Sequence, residues 1–527
     1  MAVALLGLSC RLHFPPLRLP LLYCLPKVSL GCAAALETID DSEFIIRDSV
    51  AQHCSGDQKK VPEWKKLNSK ELGISTSMIA RPTRVVLNGL RKKGYEVYLV
   101  GGCVRDLILK RVPKDFDVLT SAELKEVIQT FSRSEIVGKR FPICHVHVGD
   151  AIVEVSSFRT CQRKYSRDSS YDFGGPNGGD EKDYIRWRNC LRRDFTINGL
   201  VFDPFAKLVY DYMGGLEDMR KAKVRTMIPA GTSFQEDSAR ILRAIRIAAR
   251  LGFRLSQETA RSVKSLSLSV LRLDKTRLLM EMNYMLAYGS AEASVRLLWK
   301  FGLLEVLLPI QAAYLVRHGF RRRDKGSNML LTLFSNLDKL LAPDRPCHCS
   351  LWVAILAFHK ALVDEPRDPL VVAAFSLAVH NGGDMLEAID IAKRISRPHD
   401  CSFHELLVPR ELDSTALAED AINLEASVKG ALSKMTDEYA VSKAMASYPR
   451  APYSDLVFIP LGLYLRVCKI FECVRRGKEK DFVPKQGSRI NYEMLALGSL
   501  QEVRHLFARV IFDTVYPLCL SQDRIST

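Results

Sequence analysis

The chain has 527 residues, with 76 Lys and Arg against 60 Asp and Glu, a formal net charge of +16. That length allows more than one domain, and the basic excess suits a polyanionic partner and argues against a cationic one. Beyond the N-terminus no stretch approaches the ~20 uninterrupted apolar residues of a membrane span, so no membrane partner is expected.

The fourteen cysteines scatter without paired C-x-x-C spacing, which predicts reduced thiols in an intracellular compartment. No acidic residue precedes Glu37, while Arg11, Arg18 and Lys27 punctuate an apolar, proline-containing stretch. An acid-free leader of this kind reads as a transit peptide to an organelle, mitochondrion or chloroplast; its runs MAVALLGL and LPLLYCLP are also those of a secretory signal. Residues 37–75 are mixed and charged, so 1–75 is read as leader and linker.

From about residue 76 a helix (SMIARPTRVVLNGLRKKG) leads into a strand at Tyr95–Val100, and Gly101-Gly102 opens a second helix carrying Arg105. Strands follow at Asp115–Leu119, Ile143–Val148 and Ile152–Ser157, with a helix near Ala122–Phe131. The glycine-rich stretch 169–183 reads as a loop. This predicts an α/β head over 76–230. Beyond 231 strand signals fade and helical periodicity takes over, predicting an all-α neck over 231–310 and an all-α body and tail over 311–527.

Asp115 and Asp117 sit two apart, and in a strand the period of two puts both on one face with Phe116 in the core. Paired carboxylates suit hard cations bridging a nucleoside triphosphate for in-line nucleotidyl transfer. Glycines at 101 and 102 let backbone N–H groups approach phosphate oxygens, and Arg105 adds a fork-shaped cation. An isolated D-x-D is commonly a surface feature; the strand, Gly-Gly, helix and arginine at this spacing set this one apart. Glu154 is either a third carboxylate, taking the primer hydroxyl proton or completing metal coordination, or an edge-strand glutamate. Arg159 is a candidate triphosphate contact. Cys347-His348-Cys349 with Cys401 and His404 reads as ordinary thiols and imidazoles before zinc. The clusters Arg321–Lys325 and Arg475–Lys480 read as solvated faces before RNA contacts.

The motifs GGCVRD and KDFDV, followed by RRDFTINGL (192–200), DYMGGLEDM (211–219) and EDSARILRAIRIAARLGF (236–253), resemble the class II tRNA nucleotidyltransferase and bacterial-type poly(A) polymerase family over roughly 76–310. The resemblance implies a polymerase-β-like nucleotidyltransferase head, Mg2+ dependence and addition of nucleotides to RNA 3′ ends without a template. It places Asp115 and Asp117 on the metals, Gly101, Gly102 and Arg105 at phosphate, and Arg192 and Arg193 at phosphate or ribose. Asp194 and Asn198 either hydrogen-bond ribose or hold the turn. Asp237 and Arg240, read as i,i+3 neighbours on one helix, present an acceptor and a donor to the edge of the incoming base. Arg243 and Arg246 continue that series and serve phosphate contact or interdomain ion pairs alike. One departure is Asn189, upstream of RRD, where relatives usually carry an acid.

Residues 136–146, IVGKRFPICHV, resemble the stretch that marks the poly(A)-adding members, with cations at Lys139 and Arg140. The Thr-Gly…His-Gly-Thr pattern usual in CCA-adding members is absent. The expected partners are therefore RNA 3′ ends, of mRNA or tRNA, and ATP, with CTP and CCA addition as the alternative. A catalytically silent RNA-binding scaffold is the rival from another class, and the intact carboxylates argue against it.

Overall fold

The computed structural model describes residues 64–138, 142–158, 180–446 and 454–518. They form two compact units, residues 64–248 with 253–266 and residues 249–252 with 267–518. Arg159, Lys139 and Arg140, and the leader, lie outside the described residues.

The first unit is α/β. Eight strands, β1 (Lys65–Asn68), β2 (Val97–Val100), β3 (Asp117–Thr120), β4 (Ser134–Val137), β5 (Ile143–Val148), β6 (Ala151–Ser157), β7 (Val201–Asp203) and β8 (Leu208–Asp211), form one sheet ordered β1-β8-β7-β2-β3-β6-β5-β4. Neighbours are antiparallel except β3 and β6, which run parallel. β2 is buried at all four positions, as a central strand covered on both faces must be. Helix α1 (Arg81–Lys92) has a proline in its first turn, where the missing N–H costs nothing, and buries Thr83, Val86, Leu87 and Leu90 at helical spacing. Helices α2 (Gly102–Ile108), α3 (Leu124–Thr130) and α4 (Glu181–Cys190) follow.

Three expectations are corrected. Lys65–Asn68, read as linker, pairs with β8 and closes the sheet edge. The loop expected to reach residue 183 ends earlier, because the Asp180 carboxylate accepts the Asp183 N–H and starts α4. Lys223–Val224 pairs with Arg254–Leu255, so a strand segment persists beyond 231.

A buried cation organises the aromatic core of this unit. Arg186 donates to the hydroxyls of Tyr212 (2.8 Å) and Tyr98 (2.9 Å) and to Asp183 (2.6 Å), and lies 4.3 Å from the Tyr210 ring centre. Burial opposes ionisation of Asp183, but hydrogen bonds from Lys66, Arg186 and Tyr212 outweigh it and hold the group at about 2. Each charge is matched, which is what lets an arginine sit among tyrosines.

The second unit is helical from Lys275 to Val515. Its core includes interlocked rings of Phe358, Phe375, Phe471 and Phe507, with centroids 5.1–6.4 Å apart. Among the described residues no helix is long and apolar enough to cross a membrane. His348 caps the helix Cys349–Asp364 by accepting the Ser350 N–H, a structural use of the imidazole in the cysteine–histidine cluster. In the basic cluster at 321–325, Arg322 stacks 3.8 Å over Trp299 and pairs with Glu305.

Candidate active site

Gly101, between β2 and α2, has φ of +83°, a conformation strained for any residue with a side chain. A Cβ there would lie 2.9 Å from both Arg193 Nη1 and Asp117 Oδ2. The glycine is required because two catalytic candidates from distant parts of the chain, an arginine and a carboxylate, meet over its backbone.

Asp117 opens β3, with Val100 as its register partner on one side and Glu154 of β6 on the other. Matched residues on neighbouring strands point to the same face ~4.8 Å apart, so the two carboxylates stand together. Burial raises the Asp117 pKa; Arg193 opposes that, and Glu154 and Asp115 add to it, leaving the group at about 6. Glu154 is half exposed, with His145 3.9 Å away on β5.

The D-x-D reading is corrected in one respect. Asp115 precedes the strand in a bend, its side chain 70% exposed and 3.7 Å from Lys114, and Phe116 is only half-buried. Strand alternation therefore does not place Asp115; it reaches the same region as a solvated carboxylate on a turn.

Arg105 is 9% exposed, and its guanidinium is bound by Asp106 (2.7 and 2.9 Å) and by Asn198 Oδ1 (2.7 Å). Asn198 in turn donates to Asp194 (3.0 Å), and Asp194 pairs with Arg243 at 2.7 Å. The chain Asp106–Arg105–Asn198–Asp194–Arg243 thus ties α2 and the Thr196–Asn198 turn to the helix that bears Arg243. Although burial works against it, Arg243 and Asn198 hold the Asp194 carboxyl below the usual range. Its ionised form therefore stabilises the fold above the ordinary carboxylate pKa, and that contribution is lost as pH falls through the depressed value. Asp194→Ala is expected to cost about 1–3 kcal/mol at pH 7 and less at pH 3, read as melting temperature, since it removes the acceptor of the Asn198 amide and one ion-pair partner of Arg243.

A second set of bonds fixes the same turn. Thr196 donates to Asp218 (2.6 Å), which also accepts from Arg225 (2.8 Å), and Asp211 accepts the N–H groups of Gly214, Gly215 and Leu216. A Cβ on Gly215 would approach the Thr196 carbonyl to 2.3 Å. The DYMGGLEDM motif is scaffold for the turn behind Arg192 and Arg193.

Asp237 and Arg240 do not share one continuous helix. Helix α5 (Gly215–Arg220) is followed by α6 (Ala230–Glu236), which ends before Asp237; Asp237 is extended (φ −149°), and its carboxylate accepts the Ala239 N–H at the start of α7 (Ala239–Leu251). The Arg240 guanidinium donates to Ser233 Oγ (2.9 Å), Glu236 (3.2 Å) and the Arg192 carbonyl (3.3 Å). The two side chains thus have separate partners, and the contact between the residues is the Arg240 N–H donating to the Asp237 carbonyl (3.0 Å). Ser233 and Glu236, which orient Arg240, carry no sequence signal of their own. Of the arginine pair, Arg193 is the one at Asp117. Arg243 is a third exposed and shares the influence of Arg193 on Asp117, and Arg246 continues the same helix.

Among the described residues no three His, Cys, Asp or Glu side chains converge to hold an ion by themselves. Two or three carboxylates on one open face are the donor set for a divalent ion whose remaining oxygens come from a triphosphate and water. Asp117 and Glu154, matched in strand register with the solvated Asp115 beside them, are oxygen donors of that kind, so the residues fit a cation.

Residues 97–225 match the family description "Poly A polymerase head domain", and residues 252–315 match "Probable RNA and SrmB- binding site of polymerase A". Poly(A) polymerase I of Escherichia coli O6:H1 is 31% identical over 355 residues, 67% of this chain and 73% of that protein. The CCA-adding enzyme of Geobacillus thermodenitrificans is 35% identical over 221 residues, 41% of this chain and 52% of that one. The solved Bacillus stearothermophilus CCA-adding enzyme in complex with CTP aligns at 21% identity with a TM-score of 0.41, covering 75% of this chain and 93% of that one.

Proposed function

The chain belongs to the family of bacterial-type poly(A) polymerases and CCA-adding enzymes, and on that premise we propose that it adds AMP from ATP to RNA 3′ ends. The observation that carries the reading is the parallel register that sets Asp117 beside Glu154, with Arg193 and the side-chain-free Gly101 against them. The preference for adenylate rests on the 136–146 stretch and on the greater length shared with the poly(A)-adding relatives.

Asp117 and Asp115 would hold the metal, which we take to be Mg2+, with Glu154 as third ligand or proton acceptor for the primer hydroxyl. When bound, the metal neutralises charge developing between the primer oxygen and the pyrophosphate leaving group. Arg193 faces the same space and binds phosphate oxygens. Arg105, Asp194 and Asn198 act as positioning residues that hold the arginine turn. In this reading Asp237 and Arg240 read the base edge, a role supported by the hydrogen bonds from Arg240 to Ser233 and Glu236 that orient its guanidinium.

The function is tested by 3′ extension of an unstructured RNA and of a tRNA lacking its CCA end, with each nucleotide supplied alone and together with magnesium. Long ATP-dependent tails on the unstructured RNA are expected; addition that stops after CCA on the tRNA would assign tRNA maturation instead. Arg240→Ala is expected to lower the ATP-over-UTP preference about tenfold or more, ~1.4 kcal/mol, with a smaller change in triphosphate affinity; an unchanged preference would remove Arg240 from base reading.

We further propose delivery to an organelle, supported by the absence of Asp and Glu before Glu37. A fluorescent protein fused behind residues 1–63 is expected to co-localise with mitochondria or chloroplasts; a diffuse cytosolic signal would contradict this.

A further inference from the structure

One row of side chains runs across the sheet, outward from the candidate catalytic carboxylates. Strand register matches Asp117 of β3 with Glu154 of β6, Glu154 with His145 of β5, and His145 with Glu135 of β4, all on one face. Their neighbours along the strands, Val146, Val153 and Val155, point the other way and are buried, whereas the side chains of Glu154 and His145 stay 51% and 25% exposed. The step from Glu154 to His145 is a gap rather than a bond. His145 Nε2 lies 3.9 Å from Glu154 Oε1, beyond hydrogen-bond range, with both side chains reaching solvent.

The geometry of the reaction says what approaches from this side. In the proposed function the triphosphate lies against Gly101, at the end of β2, and Arg193, which meets Asp117 over that glycine. Nucleotidyl transfer sets the attacking and leaving oxygens in line across phosphorus. With pyrophosphate leaving over β2, the RNA 3′ oxygen therefore arrives over β6, where Glu154 stands. The same ribose carries a 2′-hydroxyl on the adjoining carbon, and two polar groups held just apart suit a vicinal diol. We propose that His145 binds the 2′-hydroxyl of the terminal ribose and so restricts the acceptor strand to an RNA end, an assignment that rests on the function proposed above. Glu154 accepts from the 3′-hydroxyl. His145 Nε2 takes the 2′-hydroxyl as donor or as acceptor, since a hydroxyl is both, and the bond needs no charge on the ring. A 2′-deoxyribose end leaves the imidazole unmatched. His147, on the same face two residues along β5, has the same ring but stands 3.7 Å from Glu135, away from the site carboxylates.

The test is a cycle between protein variants and two RNA ends, run on the full chain. Wild type and His145→Ala are compared on RNA oligomers that differ only in a ribose or a 2′-deoxyribose at the 3′ terminus. Extension is read as kcat/KM for the RNA at saturating ATP, and affinity for the same oligomers by fluorescence anisotropy in chelator. The wild type is expected to favour the ribose end about five- to tenfold, the scale of one hydrogen bond to a hydroxyl. His145→Ala is expected to abolish that preference by losing on the ribose end alone, with KM for ATP unchanged. His145→Phe, which keeps a ring without nitrogen, should behave as the alanine variant, and His145→Gln, whose amide reaches toward the Nε2 position, should restore most of the preference. His147→Ala is expected to keep the wild-type ratio. Equal losses on both ends in the alanine and phenylalanine variants, or a ribose preference that survives in them, would overturn the assignment. A wild type that extends neither RNA would instead remove the proposed function, and the anisotropy ratios would still decide whether His145 recognises the ribose.

Discussion

Asp117→Asn is expected to leave a folded chain whose RNA 3′-extension rate falls at least about a thousandfold, the scale set by losing one preorganised electrostatic contact at a reacting phosphate. The fold should survive because Asp117 holds its strand position through backbone register with Val100 and Glu154, and asparagine is nearly isosteric. A second readout separates chemistry from structure. The Asp117 pKa lies near 6 in the folded chain, above the ordinary value. A raised carboxyl pKa means that ionisation destabilises the fold: the loss is absent below about pH 4 and complete above about pH 6. In chelator at pH 8 the asparagine variant is therefore expected to melt a few degrees above the wild type, of order 1–3 kcal/mol. A variant that loses activity and also melts lower would show Asp117 to be a structural acid. Retained activity would sink its catalytic assignment.

Gly101→Ala is expected to cost about a hundredfold in extension rate while lowering stability by only about 1–2 kcal/mol. The stability loss comes from holding an alanine at φ of +83°. The larger functional loss has another origin. The added methyl meets the ends of two flexible side chains, Arg193 Nη1 and Asp117 Oδ2, each at 2.9 Å. Those ends move away at little cost in folding, but displacement by a few tenths of an ångström moves the cation and the carboxylate off any ligand they share. Gly102→Ala is the control, since its Cβ would meet only Arg105 at 3.5 Å, ordinary contact. Equal losses in the two variants would show that the glycines matter for helix entry alone. Activity and thermal melting of both variants decide the question.

The strand before Gly101 and the carboxylates after it were legible because a buried central strand is uniformly apolar and a polar pair interrupting such a run is conspicuous. The same holds for α1, whose apolar period is visible in the residues themselves. β1 was not legible: Lys65–Asn68 is polar and exposed, and only the free edge of β8 makes it a strand. The helix break at Asp237 was missed for a different reason. The segment has continuous helical propensity, and the aspartate that stops one helix and caps the next reads equally well as a surface residue.

The amino-acid sequence by itself determined the class of head, the acid and arginine residues available for chemistry, and the kind of partner, because residue type, local period and motif order are properties of the chain alone. Only the tertiary structure decided which of those residues meet. Arg193 rather than Arg192 lies at Asp117, Arg105 is used internally by Asp106 and Asn198, and Asp115 stays in solvent. Those assignments depend on strand register and on the satisfaction of buried charge. Both are set by residues tens of positions apart, and no local pattern can encode them.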